Sequence, residues 1–231
     1  MKRFYKEAAA APVDGGWQVT LDGRAIRTPA KAPLVVPGEA MARAIAGEWA
    51  AQGEEIKPGS MPLTGLANAT IDRVSAGREA FIDSLAAYGD GDVLAYRAEH
   101  PDDLLQRQVA AWNPILDWAE RRYGVEFTLV QGIMHKPQPA GTVATLRAAL
   151  AGLDDFTLTA MQPLVTITGS LVIALALLES AIDAETGWTA AHLDELYQVE
   201  KWGEDSLATA ARDHRRADFD AAMCFVRLSA S

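Results

Sequence analysis

The amino-acid sequence predicts an α+β protein, with a small N-terminal α+β domain at residues 1–60 and a larger, mainly α-helical domain at residues 61–231. Near the N-terminus, apolar and polar residues alternate on both sides of an Asp-Gly dipeptide, which is typical of a β-hairpin. Farther along, apolar residues recur every three or four positions, which favours amphipathic helices. The stretch from Glu48 to Arg73 joins the two patterns, because two prolines and a glycine in residues 57–62 interrupt any helix there.

The composition limits the partners and the compartment. Of the 231 residues, 49% are hydrophobic and 23% charged, which is typical of a folded globular protein. The formal net charge of −10 argues against nucleic acid or anionic lipid as the main partner, since both bind basic surfaces, and it is compatible with a basic protein partner. The single cysteine, Cys224, excludes an internal disulfide and fits a reducing compartment. Because the first residues resemble no leader sequence, we expect a soluble cytoplasmic protein.

The N-terminal domain is predicted to be a hairpin sheet covered by one helix. Residues 17–21 (WQVTL) and 24–28 (RAIRT) alternate around the Asp22-Gly23 turn, and residues 33–37 form a short edge strand between two prolines. A helix follows from Glu39 and ends near Glu54. Its apolar stripe falls at helical spacing and packs on the sheet; the stripe consists of Met41, Ala42, Ile45, Ala46, Trp49 and Gln52.

The second domain is predicted to consist of helices, with one weak strand at residues 125–130. The uncharged run 156–178 contains a proline, a glycine and several threonines, so we expect a buried core segment and not a membrane span. Asn113-Pro114 suits a helix start and predicts a break inside the helix 104–123, and the charged residues 213–216 predict a solvated turn. The helices are predicted at residues 63–74, 79–88, 104–123, 139–153, 156–167, 169–182, 188–211 and 218–228.

Sequence motifs for catalysis are mostly absent. The chain has no phosphate-binding G-x-x-x-x-G-K-[ST], no G-x-G-x-x-G and no G-x-S-x-G. His192 and Glu195 share a helix face, but a bundle metal site needs a second such pair, so we expect no metal. No cofactor-binding motif is found either, so we expect no cofactor.

The richest polar cluster lies at residues 193–205. Trp202 stands among charges and precedes Gly203, a helix-weakening residue, which suggests that close approach is needed there. Aromatic residues ringed by polar groups are typical of protein-contact anchors. A partner-binding surface, a catalytic carboxylate site and an ordinary solvated helix face all remain possible from the residues alone. The cluster residues are Asp194, Glu195, Gln198, Lys201, Trp202, Glu204 and Asp205.

Several blocks together resemble the F1-ATPase assembly chaperone family, which protects the alpha subunit of ATP synthase and occurs in mitochondria and alphaproteobacteria. The Trp112-Asn113-Pro114 block departs from the Trp-Asp-Pro of the family. The match extends from Arg3 to Asp205 and is carried by the ordered set Arg3-Phe4-Tyr5-Lys6, Trp17, Leu21-Asp22-Gly23-Arg24, Thr28-Pro29, Glu48-Trp49, Gln52, Ile56-Lys57-Pro58, Met61-Pro62-Leu63-Thr64, Ile71-Asp72-Arg73, Tyr96-Arg97-Ala98, Trp112-Asn113-Pro114, Thr168-Gly169-Ser170, Asp194-Glu195 and Trp202-Gly203-Glu204-Asp205.

The resemblance implies a chaperone that is not an enzyme, binds the free F1 alpha subunit until a beta subunit replaces it, and is monomeric when free. It implies a bacterial protein of the cytoplasm, or a mature protein of the mitochondrial matrix. Carried onto this sequence, Glu204 is the acidic contact, Asp205, Asp194 and Glu195 are supporting charges, and Trp202 is an anchor or local core, with Gln198 on the same face.

A second group is interpreted as structural and forms the joint between the two domains. It comprises Glu48, Trp49, Gln52, Arg73 and Arg97, in which the two arginines pair with internal carboxylates. The alternative function is a small-molecule enzyme with a carboxylate and arginine site in the interdomain cleft.

Overall fold

A four-stranded antiparallel sheet forms the N-terminal part of the chain, whose computed structural model describes residues 1–229. The central strand β2 pairs with β1 along one edge and with β3 and β4 along the other. Leu21 lies opposite Arg24 across the Asp22-Gly23 turn, so the predicted hairpin is confirmed. The strands are β1 Ala8–Val13, β2 Gly16–Leu21, β3 Arg24–Ala25 and β4 Val35–Val36.

Strand β1 was not expected from the sequence. Its residues, AAAAPV, show no apolar–polar alternation, because alanine is small enough for either face of a sheet. It pairs with β2 over its whole length, from Ala8 opposite Leu21 to Val13 opposite Gly16. Gly16 is required at the start of β2, because a Cβ there would collide with the carbonyl oxygen of Val36 in the neighbouring strand β4.

Helix α1, Glu39–Ala50, packs on β1 and β2. Its buried residues, Met41, Ala42, Ile45 and Ala46, belong to the predicted stripe. The helix ends at Ala50, before the predicted Glu54, because the chain turns and buries Gln52. The side-chain oxygen of Gln52 then accepts a hydrogen bond from the backbone N–H of Lys57 at 2.7 Å.

Nine further α-helices follow in residues 1–229. Two short strands, β5 Tyr96–Arg97 and β6 Val130–Gln131, pair in parallel between them. The helices are α2 Pro62–Ala69, α3 Arg78–Ala86, α4 Asp102–Tyr123, α5 Ala140–Ala151, α6 Asp155–Thr168, α7 Leu171–Leu178, α8 Ala184–Ala191, α9 Leu193–Trp202 and α10 Ser206–Ser229.

The packing divides the chain into two units. The first unit contains residues 1–78, residues 154–160 and α10 from Ala221; the second contains residues 79–153 and 161–220. The predicted boundary between residues 60 and 61 falls inside the first unit, since α2 packs against α1. As a boundary between folding domains it stays a prediction.

The centre of the second unit is α7, in which residues 171–177 are at most 3% exposed. A helix that is apolar on all faces can be stable in water only inside a core, so the predicted buried segment is confirmed. None of the helices in residues 1–229 combines the length and the apolar character that a bilayer span requires.

Three predicted helix boundaries are wrong. Helix α4 continues through Pro114, because the Asn113 side chain accepts from Arg97 at 2.8 Å and caps no new helix. The predicted helix 188–211 is divided into parts of α8, α9 and α10 by turns at His192 and Gly203. The predicted turn at residues 213–216 is helical, because Arg215 and Arg216 are neutralised by acidic residues of other helices. Of the predicted strand 125–130, only Val130 is in a strand.

Candidate functional site

The turn between α9 and α10 presents two exposed apolar side chains. Trp202, the last residue of α9, is 78% exposed, and Leu207, in the first turn of α10, is 80% exposed. Glu204 and Asp205 lie between them and are exposed as well. We call residues 202–207 the α9–α10 corner. Its exposed side chains could contact a protein partner.

Gly203 ends α9 because it adopts a left-handed backbone, with φ of +88°. A Cβ at this position would meet no heavy atom within 4 Å, so the expected reason for the glycine, close approach, is wrong. The conformation turns the chain sharply and leaves Trp202 at the end of the helix. With 78% exposure, Trp202 is not a core residue, which removes one of its two predicted roles.

Asp205 has a structural contact at the corner. Its Oδ1 accepts hydrogen bonds from the backbone N–H groups of Leu207, at 3.0 Å, and Ala208, at 2.9 Å. These groups would otherwise lack partners at the start of α10. Asp205 therefore fixes where α10 begins. Because one of its carboxylate oxygens is already hydrogen-bonded, Asp205 is less available to a partner than its predicted role as a supporting charge requires.

The other acidic residues near the corner hold α10 against α9. Glu195 pairs with Arg215 at 2.6 Å and with Arg212 at 3.5 Å. Arg212, whose side chain is only 12% exposed, also pairs with Glu204 at 3.2 Å. The Glu204 side chain is 62% exposed, whereas that of Glu195 is 32% exposed. Glu204 is therefore the more accessible of these two carboxylates.

Asp194 and Gln198 lie on the same face of α9 as Trp202, two turns and one turn before it, respectively. Asp194 accepts a hydrogen bond from Gln108 at 2.8 Å, and the oxygen of the buried Gln108 side chain accepts from the backbone N–H of Ala98 at 2.8 Å. Asp194 thus anchors α9 to α4. The Gln198 side chain is exposed and makes no hydrogen bond within residues 1–229, so it is free to bind a partner.

An ionic network joins α4 to α9 and was not identified from the sequence. Asp103 accepts from the Tyr197 hydroxyl at 2.8 Å and pairs with Lys201 at 3.1 Å. The Tyr197 hydroxyl, followed by Lys201, lowers the pKa of Asp103, and Asp103 in turn raises the pKa of Lys201. Arg107 forms a bidentate pair with Glu200, at 2.6 and 3.0 Å. The four-residue step from Tyr197 to Lys201 was the available signal, but the partner on α4 lies 94 residues away from Tyr197.

The predicted joint residues on α1 organise the proline-rich stretch within the first unit. Glu48 accepts from the backbone N–H groups of Leu63, at 2.7 Å, and Thr64, at 2.8 Å, at the start of α2. Gln52 also donates to the Ser60 hydroxyl at 3.1 Å. The carbonyl of Trp49 accepts from the Tyr5 hydroxyl at 2.7 Å. These contacts are structural, while a role at a joint between domains stays a prediction.

The two predicted joint arginines do not pair with carboxylates in the described chain. Arg73 is exposed and forms no ion pair there. Arg97 is buried, donates to the Leu94 carbonyl and the Asn113 side chain, and stacks its guanidinium over Trp112 at 5.0 Å. Burial lowers the pKa of Arg97. The predicted pairing is wrong for Arg97 because residue 113, its nearest acceptor side chain, is an uncharged amide.

Two further titratable residues, Asp92 and His192, are buried and make contacts that support the fold. Asp92 is fully buried, and burial raises its pKa to about 6. It accepts from the backbone N–H groups of Leu94, at 3.1 Å, and Val172, at 3.0 Å, and so caps the start of α7. His192 stacks on Trp188, with ring centroids 3.8 Å apart. Within residues 1–229, no group of three or more His, Cys, Asp or Glu side chains could hold a metal ion.

The chain is similar to one family of proteins in both sequence and structure. A family model described as ATP12 chaperone protein matches residues 2–120. The crystal structure of Atp12 from Paracoccus denitrificans is 40% identical, covers 99% of this chain and 98% of that one, and has a TM-score of 0.93. The Atu1473 protein from Agrobacterium tumefaciens is 39% identical, with a TM-score of 0.94 and coverage of 98% and 85%. Protein atp12, mitochondrial, of Schizosaccharomyces pombe is 27% identical over 215 residues, which are 87% of this chain and 74% of that protein.

Proposed function

Because the chain belongs to the ATP12 chaperone protein family, and is on that ground a chaperone of ATP synthase assembly, we propose that it binds the free alpha subunit of F1-ATPase. In the assembled ring, alpha and beta subunits alternate, so an isolated alpha subunit exposes the surfaces meant for its neighbours. Such surfaces aggregate or pair wrongly. The chaperone covers one of them until a beta subunit takes its place.

The exposed Trp202 and Leu207 carry the site assignment. Trp202 is 78% exposed and Leu207 is 80% exposed, so both leave apolar surface in contact with water. Binding to a partner would remove that surface from water, which is favourable. Tryptophan is also among the residues that contribute most to protein–protein affinity. Here the two side chains stand beside the carboxylates of Glu204 and Asp205, and a contact with a few apolar anchors and a polar rim suits a complex that must later dissociate.

The six predicted contact residues divide into two groups by their contacts. The first group is exposed to solvent and consists of Trp202, Glu204 and Gln198. We assign to these three side chains the direct contacts with the alpha subunit. The second group makes internal contacts: Asp194 with Gln108, Glu195 with two arginines, and Asp205 with the first backbone N–H groups of α10. We assign to this group the role of holding the binding surface in place.

Holding a subunit requires no bond to be made or broken, so we propose that the protein transforms no substrate and needs no cofactor. Release follows when the beta subunit competes for the same surface of alpha. We propose that the free chaperone is a monomer and acts in the bacterial cytoplasm, where F1 subunits are synthesised.

Co-expression with a tagged F1 alpha subunit tests the proposal. The wild-type protein should co-purify with alpha and reduce its aggregation. Trp202→Ala and Glu204→Lys should each lower recovery at least tenfold, on the scale of an interface hot spot. Glu54→Lys is the matched control, since Glu54 is an exposed glutamate of the first unit, and it should leave recovery unchanged.

The outcomes distinguish an error in the proposed function from an error in the assigned binding site. Arg212 keeps Glu195 as a partner when Glu204 is reversed, so the Glu204→Lys variant should fold normally by circular dichroism. If folded alpha subunit is not recovered with the wild-type protein, the proposed function is wrong. If the wild-type protein binds and both corner variants bind equally well, only the site assignment is wrong.

A further inference from the structure

An open cavity of about 470 Å³ lies in the first unit, beside the turn between β2 and β3. Three aromatic residues, Phe4, Tyr5 and Trp49, form its apolar wall together with Leu21 and Ile26. The Phe4 ring packs edge-on against Tyr5, with centroids 5.3 Å apart, yet Phe4 is 66% exposed. Phe4 therefore offers aromatic surface to water, while Tyr5 and Leu21 are buried, and a bound apolar side chain would cover Phe4.

The same cavity carries positive charge that is only partly neutralised. Arg24 and Arg27 line it. The Arg24 side chain is exposed and makes no hydrogen bond or ion pair with residues 1–229, although the carboxylate of Asp22 attracts it electrostatically. Arg27 donates from one nitrogen to the carbonyl of Lys31, at 2.8 Å, and the rest of its guanidinium is available.

The one carboxylate in the wall, that of Asp22, is already occupied. It accepts from the backbone N–H groups of Glu7, at 2.9 Å, and Lys6, at 3.0 Å, and these bonds are the main reason that the pKa of Asp22 is lowered. The stretch of chain that supplies most of the wall is also basic. Residues 1–37 contain six lysines and arginines against three acidic residues, in a chain whose net charge is −10.

The spacing of the two arginines indicates the kind of ligand that fits. Three residues of extended chain separate the Cα atoms at positions 24 and 27 by about 10 Å. Two acidic side chains along an extended peptide match that separation. In addition, β3 is the last strand in the order of the sheet, so Arg24 and Ala25 lie at a sheet edge beside the cavity. Beyond β3 the edge is already covered, because Arg27 pairs with Pro33.

We propose that this cavity binds an extended, acidic segment of a protein partner, with apolar side chains against Phe4 and its aromatic neighbours and two carboxylates at Arg24 and Arg27. The site consists of first-unit residues, whereas the α9–α10 corner belongs to the second unit and exposes acidic groups. The proposal thus goes beyond the binding site assigned above and does not depend on the alpha subunit being the partner.

Fluorescence anisotropy with a labelled peptide, Gly-Glu-Leu-Phe-Glu-Gly, tests the proposal on the full-length protein. The peptide should bind saturably, and Arg24→Glu and Phe4→Ala should each weaken binding roughly tenfold. The matched control is Arg43→Glu, a reversal of an arginine on α1 whose side chain is 73% exposed, and it should leave affinity unchanged. A peptide with lysine in place of both glutamates should not bind.

Each outcome is decisive. Absence of saturable binding up to about 1 mM would overturn the proposal, as would equal weakening by Arg43→Glu, which would indicate attraction to net charge alone. Equal binding of the lysine peptide would also overturn it. Circular dichroism of each variant excludes loss of fold, and Arg24→Gln provides a milder change at the same position. None of these measurements uses F1 subunits, so failure here leaves the proposed function standing.

Discussion

Replacing Asn113 by aspartate should stabilise the protein. The buried Arg97 donates from Nη2 to Asn113 Oδ1 at 2.8 Å, and its Nε is buried without a partner in the described chain. Burial penalises the charged guanidinium, as the lowered pKa of Arg97 indicates. A carboxylate at position 113 has nearly the same shape as the amide and would place a negative charge against this cation.

The expected gain follows from the separation of the charges. Opposite charges about 4 Å apart attract by roughly 4 kcal/mol in surroundings of intermediate polarity. Desolvation of the new carboxylate offsets part of this, because residue 113 is half-buried. We expect a net gain of about 1–2 kcal/mol in the free energy of unfolding, or roughly 2–4 °C in Tm per kcal/mol for a chain of this size.

Urea unfolding at pH 7 and at acidic pH measures this gain and its sign. The arginine should lower the folded-state pKa of the new carboxyl below the unfolded value near 3.9. The added stability is then present above that value and lost as the pH falls through the folded-state pKa. Asn68→Asp serves as a contrast, since the oxygen of Asn68 is buried without a donor in the described chain, and it should destabilise. A loss of stability in Asn113→Asp at pH 7, or a gain that persists at low pH, would refute this account of Arg97.

Variants at three further positions test the structural carboxylates. The folded-state pKa of Asp92, about 6, lies above the ordinary aspartate value of 3.8, so its contribution to stability is greatest below pH 3.8 and is lost as the pH rises through 6. Urea unfolding between about pH 4 and pH 7.5 should show this loss in the wild-type protein and a flatter profile in Asp92→Asn. Glu48→Ala should lower the free energy of unfolding by about 2–3 kcal/mol, because two backbone N–H groups of α2 lose their acceptor, and a smaller loss for Glu48→Gln in the same measurement would support this reason. Asp205→Ala should cost about 1 kcal/mol through loss of the α10 cap, and an unchanged urea midpoint would contradict the capping role.

Local patterns predicted the elements that depend on neighbouring residues. The β2–β3 hairpin follows from an Asp-Gly turn between alternating runs, and the buried face of α1 from its helical spacing. Strand β1 escaped prediction because a run of alanines has no period, and it is defined only by its partner β2. The continuous helix at residues 213–216 escaped it because the partners of Arg215 and Arg216 include acidic residues of α8 and α9.

The sequence by itself determined the fold class, the order of most elements and the resemblance to one family, and it directed attention to the polar stretch around Trp202. Only the tertiary structure decided that Trp202 is exposed, that Asp194 and Asp205 have internal partners, and that Glu204 is more accessible than Glu195. Helical and strand periods are set by residues within a turn or two of one another. Burial and ion pairing, by contrast, depend on which distant segments meet, and no local pattern in the chain specifies that.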